Sequence, residues 1–350
     1  MMKQLIFPVM AVLLLSCGGS GQKKKDKETS GTQTGSNEYA ELDVMARQMF
    51  GVLPAVAENP ENEITDEKVK LGKVLYFDNR LSKDDVQSCN TCHDLNNFGV
   101  DNEALSEGND GGLGDRNSPT TLNAALHFVQ FWDGSEPDVE AQAGGPILNP
   151  DEMAMPSEEA VEKKLSAIDE YQELFAAAFP DEQDPVTFDN IKKAIGAFER
   201  KLIAPSKFDD YIAGDDQALS DQEKRGLQTY INSGCLTCHM GPLLGGNIYQ
   251  KFGLFGDYWE LTKSEKIDNG RFDITGNEAE KYMFKVPSLR NVEKTAPYFH
   301  DGSVNDLGES IRIMAKLGSN KDLNESEIGE ITDFLKTLTG DIPAELKEQP

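Results

Sequence analysis

At 350 residues the chain is long enough for two ordinary domains, each able to bury its own core. Its 61 acidic residues outnumber 34 basic ones, and the formal charge of -27 excludes nucleic acid as a natural partner and favours a basic protein instead.

The N-terminus sets Lys3 before an apolar run from Leu5 to Leu15, which ends in Leu14-Leu15-Ser16-Cys17. The run is too short to cross a bilayer and has the shape of an export signal. Leu-Leu-Ser-Cys resembles the lipobox of bacterial lipoproteins. That resemblance implies a signal segment over residues 1–17 and a lipid on Cys17; an ordinary signal peptide cut nearby is the alternative. Membrane association would then be through the lipid alone, on the periplasmic side of a Gram-negative envelope. Residues 18–38 are mostly Gly, Ser, Thr, Gln and Lys, which predicts a disordered tether.

Folded sequence is expected from about Tyr39. Thr65, followed by Asp66 and Glu67, predicts a helix start, with Leu71, Val74 and Leu75 turned inward. This helix leads toward Cys89. The interval from Leu95 to Asp115 carries Gly99, Gly108, Gly111, Gly112 and Gly114 among Asp, Asn and Glu, and reads as a mobile polar loop. Pro119 to Trp132 reads as a short apolar helix and Gly134 to Pro150 as an extended connection. Ser157 opens a helix carrying Val161, Leu165 and Ile168 inward and stopping before Pro180; Ile191, Ile195, Phe198 and Leu202 mark the next, ending before Pro205.

The domain boundary falls there, giving domains at 39–205 and 206–350, with the last helix or tail able to pack on the first. The second domain opens on the capping box Ser220-x-x-Glu223 and a helix bearing Leu227, Tyr230 and Ile231. Leu307, Ile311 and Met314 share a later helical face. Asn324-x-x-Glu327 caps a last helix with Ile328, Ile331, Leu335 and Leu338 inward. No stretch sustains strand alternation, so the expected class is mostly α.

The strongest chemical signal is a repeated pentapeptide, Cys89-Asn90-Thr91-Cys92-His93 and Cys235-Leu236-Thr237-Cys238-His239. C-x-x-C-H places two thiols one helical turn apart, where they can form thioethers with the vinyl groups of a haem while the histidine reaches the iron. Zinc would need four ligands at each site, and the chain has only four histidines in all. A dithiol redox pair does not require the histidine. Two c-type haems follow, one in each of two cytochrome c-like domains joined by long irregular connections. Among the other histidines, His127 in Leu126-His127-Phe128-Val129 reads as a packing residue rather than a ligand.

Further segments are similar to the bacterial di-haem cytochrome c peroxidases: Leu71-Gly72-Lys73 with Arg80-Leu81-Ser82, Arg116 to Thr120, Gln130-Phe131-Trp132-Asp133-Gly134, Lys285 to Val292 and Pro297 to Gly302. The resemblance runs from about Leu71 to the C-terminus. It implies a peroxidatic haem on His93 and an electron-transfer haem on His239 and Met314. Glu152 takes the place of the distal carboxylate, Gln142 that of the distal glutamine, and Trp132 lies between the haems. Asn117, Thr295 and Pro297 are implied to hold calcium through oxygen donors.

A carboxylate over an open iron suits peroxide cleavage, because a proton must move from the inner to the outer oxygen. The expected reaction is reduction of hydrogen peroxide to water, with electrons from a small cytochrome c or cupredoxin. The resemblance also implies a homodimer. One departure stands out: the loop histidine that ligates the oxidised peroxidatic iron in well-known members falls on Asn109, and no histidine lies between His93 and His127. Asn is a poor ligand for haem iron, so activity is expected without reductive activation. The alternatives are a di-haem oxidase acting on a protein or organic substrate, in which a tyrosine is expected at Met314, and a lipid-anchored electron carrier that lacks catalysis.

Overall fold

The computed structural model describes residues 38–350; Cys17, the apolar run before it and the tether through residue 37 lie outside them. The first helix, α1 (Ala40–Met49), has no side-chain cap. The next, α2 (Asp66–Phe77), starts where expected, with the Thr65 hydroxyl accepting from the Lys68 N–H at 3.2 Å. Cys89–Cys92 is a single helical turn, α3, closed by its own capping box between Ser88 and Thr91.

Three local expectations are corrected. Pro119 to Trp132 holds only a 3-10 turn at Ala124–Leu126, entered through a left-handed Asn123. Asn123 straps this segment to a distant one: its N–H donates to Leu202 O at 2.8 Å and its side-chain oxygen accepts from Ala204 N at 2.9 Å. Conversely, the expected extended connection contains helix α4 (Val139–Leu148), despite Gly144, Gly145 and Pro146 inside it. Tertiary contacts override weak propensity here. Asp138 caps it by accepting from Ala141 N at 2.9 Å. Arg200 then grips Glu140 with bonds of 2.7 and 2.6 Å.

Helix α5 (Glu158–Ser166) is separated from α6 (Asp169–Ala178) by an extended Ile168, where a single helix was expected. Helix α7 (Phe188–Glu199) follows, then α8 (Lys207–Ala213) and α9 (Asp221–Asn232), the last opening on the expected Ser220/Glu223 box. A short antiparallel pair joins β1 (Tyr249–Lys251) to β2 (Met283–Lys285), with Tyr249 opposite Lys285. Helices α10 (Tyr258–Thr262) and α11 (Phe272–Thr275) lie between these strands. Helix α12 (Leu307–Ser319) carries Met314, α13 (Glu325–Lys336) has the expected Asn324/Glu327 box, and α14 (Ala344–Lys347) lies beyond it. The protein is mostly α, as expected.

Residues Tyr39–Pro350 pack together as one unit. One apolar cluster joins Leu71, Leu75, Ile147, Phe175 and Ile191; another joins Phe208, Tyr230, Ile311 and Phe334. The chain ends cross between halves. Leu42, Ala46 and Phe50 join the second cluster, while Ile342 and Leu346 pack with Tyr76, Leu95 and Phe198.

The helix approaching each pentapeptide carries a glycine at its closest crossing. An added Cβ on Gly72 would overlap the Ala194 carbonyl of α7, and one on Gly226 the Glu330 carbonyl of α13. Alanine is normally the better helix former by about 1 kcal/mol, but collision with a rigid backbone costs about 1–3 kcal/mol and prevails. Gly72→Ala and Gly226→Ala should therefore each lower the thermal midpoint by a few degrees in a circular dichroism melt. An unchanged or raised midpoint would contradict the close crossing.

Candidate haem sites

The two pentapeptides are held by the same device. Tyr76, on α2, donates its hydroxyl to the His93 carbonyl at 2.8 Å, and Tyr230, on α9, does so to the His239 carbonyl at 2.7 Å. Both rings are fully buried, at 0% and 1% exposure, so each hydroxyl needs a protein partner; that of Tyr76 also lies 3.1 Å from Thr121 Oγ1. Each tyrosine lies four residues after the crossing glycine. That shared Gly-x-x-x-Tyr pattern was a readable signal; the sequence reading counted Tyr230 only as apolar packing and passed over Tyr76.

At the first site Cys89 and Cys92 are unpaired. Burial pushes the Cys92 thiol up to about 11 and the Cys89 thiol further. Burial also pushes the His93 imidazole below its usual range, and its buried Nδ1 has no hydrogen-bond partner. Protonated thiols beside a neutral imidazole suit thioether formation and iron ligation.

At the second site Cys235 and Cys238 are likewise unpaired, and burial raises the Cys235 thiol to about 11. His239 Nδ1 lies 3.0 Å from the Leu244 carbonyl. A carbonyl only accepts, so Nδ1 carries the proton and Nε2 is left as the ligating nitrogen. Cys235, Cys238, His239 and Met314 line one cavity, so the expected thioether sulfur opens onto the same space as the imidazole. No Asp or Glu lines that cavity. These residues fit a covalently held haem.

Glu152 sits just beyond the C-terminus of α4, which also carries Gln142. Asn149, the residue that ends α4, donates its side-chain amide to Glu152 Oε1 at 3.0 Å. Burial raises the Glu152 pKa, and the Asn149 bond opposes that rise. The carboxylate's charge is the smallest of the influences on the Cys92 thiol, which burial chiefly raises. The polar loop bearing Asn109 is tied down at the same place: Asn109 N–H donates to Glu152 O at 2.6 Å. The Asn109 side chain is committed elsewhere, donating to Asp84 Oδ2 at 2.7 Å and Asp110 Oδ1 at 3.0 Å and accepting from Asp84 N at 3.2 Å.

Trp132 is half-buried. Its Nε1–H donates to Asn117 O at 2.9 Å, and its carbonyl accepts from Lys285 N at 2.7 Å. Asn117 N–H in turn donates to His300 O at 2.8 Å. Arg116 binds Asp133 on one side and Asp268 on the other. Asn117, Thr295 and Pro297 border the second cavity together with Trp132. Among the described residues no group of three or more His, Cys, Asp or Glu is arranged to hold a metal ion. His127 lines this cavity too, with Nδ1 3.1 Å from Lys285 Nζ.

The comparisons with known proteins agree with this architecture. A profile of the family described as di-haem cytochrome c peroxidase matches residues 66–217. The chain is 44% identical over 306 residues to a cytochrome c551 peroxidase of Nitrosomonas europaea, covering 87% of this chain and 88% of that one. It is 42% identical over 300 residues to the cytochrome c551 peroxidase of Pseudomonas aeruginosa, covering 85% and 86% respectively. The crystal structure of a MauG-like protein associated with microbial copper homeostasis superposes with a TM-score of 0.75 at 28% identity, over 86% of this chain and 97% of that one. The chain belongs to the di-haem cytochrome c peroxidase family. It is an enzyme, an oxidoreductase of the peroxidase class, and membership implies two c-type haems.

Replacing both Cys89 and Cys92 by alanine should halve the covalently bound haem per chain in a pyridine haemochrome assay. Retention of two covalent haems would contradict the assignment of the first site.

Proposed function

We propose that this chain reduces hydrogen peroxide to water at the haem held by His93, taking electrons singly from a small cytochrome c or cupredoxin through the haem held by His239 and Met314. One peroxide, two electrons and two protons yield two waters. The observation that supports this reading is a pair of commitments: Asn149 donates to the buried Glu152 carboxylate, while Asp84 and Asp110 occupy the Asn109 side chain.

The iron at the first site supplies the redox chemistry of O–O cleavage. Glu152 takes the proton from the inner peroxide oxygen and returns it to the outer one, which leaves as water. Gln142, on the helix that ends at Asn149, orients the peroxide. Trp132, fixed at both its indole and its carbonyl, is the relay between the haems. Asn117, Thr295 and Pro297 offer neutral oxygens to a calcium ion, a donor set suited to a hard cation. With no histidine at position 109, turnover begins without prior reduction. Met314 favours peroxide reduction over oxidation of a protein or organic substrate.

The remaining assignments are architectural. The halves divide near Pro205 into one haem domain each, with α1 and the tail exchanged between them. Among the described residues no helix is long and apolar enough to cross a membrane. Attachment would therefore be through a lipid on Cys17, with the enzyme on the periplasmic side and assembled as a homodimer. The net charge of -27 steers a basic donor toward the chain at low salt.

The test is peroxide consumption with reduced cytochrome c as donor. Glu152→Gln should lower kcat/KM by about 10²–10⁴-fold with both haems retained; an unchanged rate would remove Glu152 from the reaction. Because Glu152 must be ionised to accept a proton, activity rises with pH through its pKa. Asn149→Ala removes a bond that lowers that pKa, so the rise should move to higher pH in the kcat/KM profile.

A further inference from the structure

The second cavity is chemically odd for this chain. In a protein of net charge -27, its lining includes Lys251, Lys285, Arg290, His127, His239 and His300 and not one carboxylate. Arg290 is neutralised by Asp209, which it grips through both Nη atoms. Lys285 is only 5% exposed and, among the described residues, has no carboxylate partner. Its ammonium donates to His127 Nδ1 at 3.1 Å and to Val129 O at 3.2 Å. Asp133, whose field reaches it, is already held by Arg116.

A buried ammonium bonded only to neutral groups is strongly disfavoured unless an anion joins it. His127 Nδ1 accepts from the ammonium, so the ring proton is on Nε2, and that atom is buried in the cavity lining without a partner. Lys285, the cation without a carboxylate, thus belongs to the lining shared with Cys235, Cys238 and His239. Burial alone pushes Lys285 down to about 7, as expected of a cation awaiting its counter-charge.

We infer that Lys285, positioned by His127, forms the seat for a propionate carboxylate of the haem attached through Cys235 and Cys238, and that the seated ammonium raises the reduction potential of that haem. The Nζ–H groups donate to the carboxylate, while His127 Nδ1 and Val129 O hold the ammonium in place. Ferric iron carries one more positive charge than ferrous, so a fixed cation nearby favours the reduced form. Lys285 N–H also donates to the Trp132 carbonyl, which ties the seat to the relay residue. This inference rests on the reading of the second haem as the port of electron entry.

The test uses the full-length, haem-loaded protein in a spectroelectrochemical titration that follows the low-spin, methionine-ligated haem. Lys285→Met should shift its reduction equilibrium toward the oxidised form about tenfold, a fall of about 59 mV. Lys285→Arg, which keeps the charge, should restore most of it. In redox-difference infrared spectra, His127→Asn and Lys285→Arg should each move the propionate carboxylate bands. A native potential in Lys285→Met overturns the inference. So does a shift that follows added phosphate, which would assign the seat to a free anion. If Lys285→Met does not accumulate, the infrared comparison decides: bands identical in the native protein and both remaining variants overturn the inference. Two haems per chain and retained peroxide turnover keep this outcome separate from failure of the reading beneath it.

Discussion

Segments far apart in the chain meet on the hydrogen bonds around Trp132. Its indole donates to Asn117, its carbonyl accepts from Lys285, and Asn117 donates in turn to His300. These four segments, two near residues 117 and 132 and two near 285 and 300, each lie in a stretch that resembles the peroxidases. Arg116 adds charge-assisted bonds to Asp133, in the Trp132 segment, and to Asp268, in a further segment. Half-buried donors and acceptors matched in this way tolerate little displacement. A residue that must stand at a fixed place relative to two cofactors is well served by such a frame.

Around that frame the halves use one solution twice. A helix crosses its neighbour at a glycine and, one turn later, a buried tyrosine takes hold of the carbonyl of the pentapeptide histidine. What differs is the opposite side of each site. Met314 lines the cavity that holds Cys235, Cys238 and His239, whereas Glu152 and the tied-down Asn109 are joined to each other through their backbones. Equivalent anchoring with unequal surroundings is how one chain can divide electron entry from peroxide chemistry.

The parts of this arrangement that were legible in the sequence are those set by short-range chemistry. Thr65, Ser220 and Asn324 announce their helices because a side-chain oxygen beside free N–H groups acts within one turn. The pentapeptides announce their cofactor because covalent attachment demands fixed spacing. Helix α4 was hidden, since its glycines and proline argue against a helix and the Glu140–Arg200 pair that favours it spans 60 positions. Position 123 was misread for a similar reason: its bonds to residues 202 and 204 outweigh an apolar run. The candidate site divides along the same line. The haem-linked residues follow from motif and resemblance, while the parts played by Asn149, Tyr76 and Lys285 depend on contacts that only the folded chain brings together.

The central claim is that the two sites are unequal already in the fully oxidised enzyme. The electron paramagnetic resonance spectrum of the haem-loaded protein, recorded with no reductant added, tests it most directly. The account predicts one low-spin signal from the site of His239 and Met314 and one high-spin signal from the site of His93. Two low-spin signals, with no high-spin component, would contradict it.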